Sequence, residues 1–376
     1  MRKVILKLSL LSIPVLAVYI FAFIVLYKSG EILSIREIID RQITSARPVI
    51  YGSGYSERTV QYKYNYVLIR KPSIIAMGRS RVMQFRSAFF KDPASFFNAG
   101  GGIIGIEDIQ AFLEGIPNDK TPRMIILSLD QHFFNPNWDG PGLAKFELKG
   151  DTGSFEILLN QGWYVFQGFL KHKYTLAPLF KKDLTGTDYI GINAIRFQKG
   201  YRKDGSYSYG KNIKQNSRDF LFTDTLDAIA KANDVFVYGN HISPKSVVIF
   251  EKLLKYCQQR DIHVVVFMPP YAHLIYNKLM SMPKKFGFLP EIEPKVAPIC
   301  KKYGASFFNF SDINSVGATD LETTDGLHGS EKAYLRLFLL MQKSDPLLHD
   351  VAADETYLQK RLADAPGPYV VFGQDE

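Results

Sequence analysis

Three short stretches bring together residue types that could carry out acyl chemistry. Gly78-Arg79-Ser80-Arg81 follows an apolar run at 73–77. A serine on a sharp turn after a strand exposes its hydroxyl at the sheet edge, where backbone N–H groups can also stabilise an oxyanion. The same pattern describes a helix start with Ser80 as its cap. Asp325-Gly326-Leu327-His328 offers a general base and the carboxylate that would fix its tautomer, both from one tight loop. An ordinary turn followed by a helix start reads the same way. Asn98 with Gly100, Gly101 and Gly102 lets backbone N–H groups approach a ligand oxygen closely, or simply makes a pliant strand-to-helix turn.

Such residues need strands to hold them. Residues 73–77, 96–98, 124–129, 263–268 and 305–310 are short apolar runs closed by glycine, proline or polar residues, as buried strands are. Helical patterns fall between them at 105–115, from Ser243 and Pro244 to about Gln259, near 291–303, and at 331–342 after Ser330. The alternation specifies an α/β fold with a doubly wound parallel sheet, in which ligands bind at the carboxyl ends of strands. Each of the three motifs follows such a strand. Residues 136–240 interrupt the rhythm as a large insertion, within which Asp204-Gly205 marks a tight turn. The expected divisions are an anchor (1–28), a connector (29–70) with a helical stripe of isoleucines from Ile32 to Ile43, the α/β domain (71–345), and a weakly patterned, partly disordered tail (346–376).

The anchor rests on the twenty uncharged residues at 8–27. About 20 helical residues at ~1.5 Å each span a ~30 Å hydrocarbon core. Arg2, Lys3 and Lys7 precede them, which keeps the N-terminus inside and sends the main domain out of the cytoplasm, periplasmic or extracellular. A cleaved signal peptide is the rival reading, but no small-x-small site follows Tyr27. The net charge is +9, and Arg2, Lys3, Lys7 and Lys28 supply four of those charges. The remainder suits an anionic membrane face or acidic glycans and falls short of a nucleic-acid footprint. Cys257 and Cys300 are too few for a disulfide scaffold, and free buried thiols are the default. The seven histidines lack metal-ligand spacing, so neither metal nor cofactor is expected.

Taken in order, the three blocks resemble the SGNH/GDSL hydrolase superfamily over roughly residues 70–345. The resemblance is closest to a membrane-anchored bacterial branch whose first block reads Gly-Ser-Ser-Arg, similar to proteins that O-acetylate envelope polysaccharides such as alginate. It implies a flavodoxin-like sandwich with Ser80 as nucleophile, His328 as base and Asp325 as its orienter. The Ser80 N–H and a glycine-block N–H would then hold the oxyanion. It also implies a serine esterase or O-acyltransferase acting on acyl, above all acetyl, groups of a cell-envelope or exported polysaccharide, with a multi-spanning acyltransferase as a further partner. Water as acceptor makes it an esterase and a sugar hydroxyl makes it a transferase.

Two departures stand out. The family's oxyanion glycine, five positions after the asparagine, is Ile103 here. The family's third block, Gly-x-Asn-Asp, is replaced by Ser128-Leu129-Asp130-Gln131-His132, and an aspartate repels an oxyanion unless it is protonated or paired. Asp130 is therefore expected to engage the nucleophile loop through Arg79 or Arg81. The missing donor also keeps a rival open: a non-catalytic SGNH-like binding or assembly protein of a polysaccharide modification or export complex. His132 reads as a substrate contact or a packed ring. Trp163, Tyr164, Phe166, Phe169, Tyr189, Tyr201, Tyr207 and Tyr209 read first as a satellite core. Sugar stacking comes second, and bilayer contact helped by Lys171, Lys173, Lys181 and Lys182 third.

Overall fold

The structure is a computed structural model that describes residues 2–138, 150, 151, 153–180, 186–210 and 221–373, with only the backbone of 2–11. The chain forms two compact units. One comprises Met1–Tyr62, Lys149–Lys203 and Tyr207–Asn212, the other Lys63–Leu148, Asp204–Ser206 and Ile213–Glu376.

The second unit holds a five-stranded parallel sheet: β1 (Ile74–Met77), β2 (Phe96–Asn98), β3 (Met124–Ser128), β4 (His263–Met268) and β5 (Ser306–Asn309). Their spatial order is β2-β1-β3-β4-β5, the doubly wound order whose switch point lies between its first and third strands. β1, β2 and β3 are buried along their whole length, as parallel strands covered on both faces must be. One face presents Ile74, Ala76, Ile126, Val265 and Phe267 to helix Glu331–Ser344, where Phe85, Phe89 and Phe338 fill the layer. On the other side lie helices Ile106–Glu114, Pro244–Gln259 and Leu289–Lys302. Ser243 caps the middle one, accepting from the Ser246 N–H at 3.2 Å, with Pro244 in its first turn. Cys257 and Cys300 sit unbridged and buried on two of these helices, and burial pushes both thiols up to about 12.

The tail departs from expectation. Pro346–Val351 and Glu355–Ala363 are helical, and Leu348, Leu358, Val371 and Phe372 enter the main core. Apolar residues too widely spaced to show a period are collected there by an ion cluster. Arg86 pairs with Glu331 at 2.7 Å and with Asp204 at 3.2 Å, and donates to the Gly373 carbonyl at 2.8 Å. Glu331 in turn accepts the Val371 and Phe372 N–H groups.

The first unit corrects the expected divisions at 29–70 and 136–240. Residues 29–62 do more than connect, because they fold together with part of the insertion. Strand Val49–Tyr51 pairs in parallel with Asp188–Ile190 and antiparallel with Gly200–Tyr201, which continues to Tyr207–Ser208. Strands of two or three residues leave no readable alternation. Helix Ile35–Thr44 forms where the isoleucine stripe places it, started by a Ser34/Glu37 capping box. Helix Arg2–Ser29 contains one stretch, Ser12–Ser29, that is long and apolar enough to cross a membrane by length and composition. Its inner face packs on helix Ser154–Leu170 through Ala22, Val25, Leu26, Ile157 and Val165. Among the aromatics read as satellite core, Tyr201 is enclosed with Tyr51 and Tyr62, whereas Trp163 and Tyr164 are exposed. Lys181 and Lys182 lie outside the described residues.

Candidate active site

The Ser80 turn begins where β1 and β3 lie side by side. Gly78 has φ +151°, and a Cβ there would sit 2.7 Å from the Ser128 Cβ, so glycine is required. The chain then leaves the sheet through Arg79 and enters a single 3₁₀ turn, Ser80–Val82, closed by the Met83 N–H on the Ser80 carbonyl at 3.3 Å. Ser80 opens this turn, so its own N–H points away from the helix. No acceptor takes that N–H among the described residues.

The partner loop comes from the far side of the sheet, between β5 and helix Glu331–Ser344. Gly326, at φ +81°, allows the reversal. The Asp325 Oδ1 accepts the Leu327 and His328 N–H groups at 2.9 and 2.8 Å, closing an Asx turn. Its Oδ2 is 2.7 Å from the His328 Nδ1. The Thr324 N–H bonds the His328 carbonyl at 2.8 Å, and the Thr225 hydroxyl holds the Asp325 carbonyl at 2.6 Å. The His328 Nε2 then lies 2.7 Å from the Ser80 Oγ. Since a carboxylate can only accept, the imidazole proton belongs on Nδ1, and Nε2 is free to accept from the serine hydroxyl. Burial raises the Asp325 pKa, but the charge and hydrogen bonds of His328 outweigh it and hold the group at about 2. Residues 248 positions apart thus form a continuous serine–imidazole–carboxylate relay.

The glycine block docks on this turn. The Gly101 N–H bonds the Gly78 carbonyl at 3.1 Å, and a Cβ on Gly100 would strike the Val82 Cγ1 at 2.0 Å. Asn98 is fully buried. Its amide donates to the Val82 and Phe85 carbonyls at 2.9 and 3.1 Å and accepts the Gly100 N–H at 3.1 Å. Asn98, expected to bind substrate, therefore ties the two loops together. The N–H groups of Gly100 and Gly101 are already engaged. Gly102 is the member of the block whose N–H has no acceptor among the described residues.

In the third block Asp130 reaches the Ser80 loop through Arg81, as expected, but both side chains are buried and not open to a substrate. Arg81 is buried: it meets Asp130 at 3.3 Å, Gln131 at 2.6 Å and the Pro269 carbonyl at 2.7 Å, and lies over the Tyr271 ring at 4.2 Å. The Tyr334 hydroxyl donates to its carbonyl. Arg81 and Asp130 therefore support the Ser80 turn from within the protein. Burial raises the Asp130 pKa, opposed by Arg81, Arg79 and His328, and its Oδ2 has no hydrogen-bond partner among the described residues. Arg79 takes the opposite course and stays half-exposed. Its guanidinium donates to the buried His132 Nε2 at 3.0 Å and lies 5.6 Å from the Trp138 ring. Burial, then the charges of Arg79 and Arg81, hold His132 well below the usual imidazole range. A neutral acceptor thus orients Arg79 beside the serine without neutralising its charge.

Gln131, Tyr271, Tyr334 and Trp138 were not legible as site residues. The place of Gln131 within the third block, three positions past the end of β3, was the available signal. Of the other histidines, His241 pairs with Glu291 at 3.0 Å at the surface. His263 pairs with Asp345 at 2.8 Å, and that carboxylate also binds Ser306 and caps the helix at Pro346. Comparison with protein-family models, curated proteins and solved structures gives no match to this chain.

Proposed function

We propose that this chain is a membrane-anchored serine acyl transferase or esterase of the SGNH type, working on acyl groups of an envelope or exported polysaccharide outside the cytoplasm. The observation that carries this reading is the Ser80–His328–Asp325 relay, with two successive contacts of 2.7 Å at the carboxyl edge of a parallel sheet. The resemblance of the three sequence blocks supplies the substrate class.

In this reading the Ser80 Oγ attacks the carbonyl carbon of an acyl ester while the His328 Nε2 takes the hydroxyl proton. The N–H groups of Ser80 and Gly102 receive the developing oxyanion. Collapse breaks the bond to the leaving alcohol, which takes the proton from His328, and leaves an acyl-serine. Water or a sugar hydroxyl then attacks, giving its proton to His328, and the serine is released when that proton returns to it. Asp325 stabilises the imidazolium formed in each half. Arg79 supplies positive charge beside the reacting ester.

One observation favours the second reading, a non-catalytic assembly protein. Asp130, buried against Arg81, occupies the place of the donor asparagine, and loss of one oxyanion donor costs about 100–1,000-fold in rate. The full-length chain in detergent, incubated with an activated acetyl ester with and without oligosaccharide acceptors, separates the cases. Turnover lost in Ser80→Ala supports catalysis, and acceptor-dependent diversion of acetyl from water to sugar identifies a transferase. A folded protein with no serine-dependent turnover contradicts the proposal.

A further inference from the structure

The first helix is not open to lipid all round over its whole apolar length. From Ser12 to Ala17 its described side chains are all exposed, but from Val18 onward one face is covered. A Cβ on Gly162 of helix Ser154–Leu170 would come within 2.8 Å of Tyr19, and the Phe21 ring contacts Phe166 and Phe169 at 5.9 and 5.0 Å. Only residues 8–17 precede the covered part without a charge. At 1.5 Å per residue they reach about 15 Å, half of the ~30 Å hydrocarbon thickness. The rest must come from 18–27, whose other face still exposes Ile20, Phe23, Ile24 and Tyr27. There, helix Ser154–Leu170 runs alongside.

The surface of that helix is divided in a way that fits this position. Ile157, Gly162, Val165 and Gly168 are buried. Phe155, Leu159, Trp163 and Leu170 are each at least half exposed and repeat at helical spacing, forming one apolar stripe. Glu156, Asn160 and Gln167 form a separate polar stripe. The apolar stripe continues onto the first helix through Trp163, Phe166 and Phe21, whose rings touch in series. The helix starts beside the outer end of the anchor, where the Ser154 Oγ donates to the Ile32 carbonyl at 2.9 Å, and Lys171 and Lys173 follow its last residue at exposed positions, with side chains long enough to carry their charges away along the polar stripe.

We propose that helix Ser154–Leu170 is a second membrane-contacting element, lying in the outer part of the bilayer beside the anchor with Phe155, Leu159, Trp163 and Leu170 among the acyl chains. This rests on the anchored reading above. Continuity with the exposed face of the first helix at Ile20, Phe23, Ile24 and Tyr27 selects lipid as the occupant, because a span that uses residues 18–27 carries the helix packed beside them into the same layer.

The test uses the full-length chain in vesicles of phosphatidylcholine and phosphatidylglycerol, with the environment-sensitive dye NBD on single introduced cysteines. Cys257 and Cys300 are buried and resist labelling. Leu159→Cys should give blue-shifted emission that doxyl lipids quench, while Asn160→Cys, one residue on and in the polar stripe, should remain unquenched. Leu16→Cys reports the anchor. Quenching at 16 with equal, unquenched signals at 159 and 160 overturns the proposal and leaves the anchor standing. A blue shift at 159 without quenching means that protein covers the stripe, and overturns it too. No quenching at 16 or 159 removes the anchored reading and this inference together.

Discussion

Ser80, His328 and Asp325 each owe their position to a different local device. A glycine forced by the neighbouring strand aims the serine, an Asx turn aims the carboxylate, and that carboxylate aims the imidazole. Asp325→Asn keeps the shape but favours the wrong imidazole tautomer, so serine-dependent turnover should fall by about 10⁴-fold with little change in circular dichroism. The Asp325 pKa is depressed from 3.8 to about 2 in the folded chain. Its contribution to stability is therefore present above the unfolded value and is lost as pH falls toward 2. The gap in urea midpoint between wild type and Asp325→Asn should narrow between pH 5 and pH 2, and a gap that widens on acidification would contradict this assignment. Arg79→Ala should weaken negatively charged ester substrates more than neutral ones, read as a rise in KM for the charged member of a matched pair.

The site is held by elements, and two of them make separable predictions. Gly100→Ala places a methyl group against Val82 and pushes the glycine block off the nucleophile turn, so labelling of Ser80 should fail even where the protein still folds. Arg86→Ala removes the buried guanidinium that pairs with the carboxylates of Glu331 and Asp204. That costs about 3–5 kcal/mol and should appear as a lower urea midpoint. These elements also show what the sequence could carry. The strands of the main sheet were legible because each is a dense apolar run ended by glycine, proline or a polar residue. Helix Pro244–Gln259 was legible from its Ser-Pro start. Ser80 was legible because its motif directly follows β1, and Asp325 and His328 because they share one glycine-containing loop ahead of the last helix of the α/β domain. The contact of Asp130 with the Ser80 loop through Arg81 was legible, whereas the bracing role of Asn98 and the complete burial of Arg81 and Asp130 were not. Burial and hydrogen-bond direction depend on long-range contacts such as Arg81 with Pro269. The tail was misread because Leu348, Leu358, Val371 and Phe372 are too sparse to form a pattern and find their places only against helix Glu331–Ser344.

At the scale of the whole chain, the division into two units puts the Ser80–His328–Asp325 relay in one and the two apolar helices in the other. The relay lies wholly within Lys63–Leu148 and Ile213–Glu376, and helices Arg2–Ser29 and Ser154–Leu170 lie in the first unit. The large insertion is thus in good part the remainder of the unit that begins at the N-terminus, brought together by strand Val49–Tyr51 between Asp188–Ile190 and Gly200–Tyr201. The anchored reading predicts that the full-length chain stays in the membrane fraction after alkaline carbonate. It also predicts that alkaline phosphatase fused after Glu376 is active, because the positive charges at Arg2, Lys3 and Lys7 keep the other end inside. An inactive phosphatase fusion with a fluorescent cytoplasmic reporter at the same place would reverse that topology.

The central claim is that Ser80 is activated by His328. Intact-mass analysis of the full-length chain after exposure to a fluorophosphonate tests it most directly, with Ser80→Ala and His328→Ala alongside. The account predicts one covalent adduct per wild-type chain, on Ser80, and none on either variant at the same exposure. A folded wild-type chain that takes no adduct, or a His328→Ala chain that labels as fast as wild type, would contradict it.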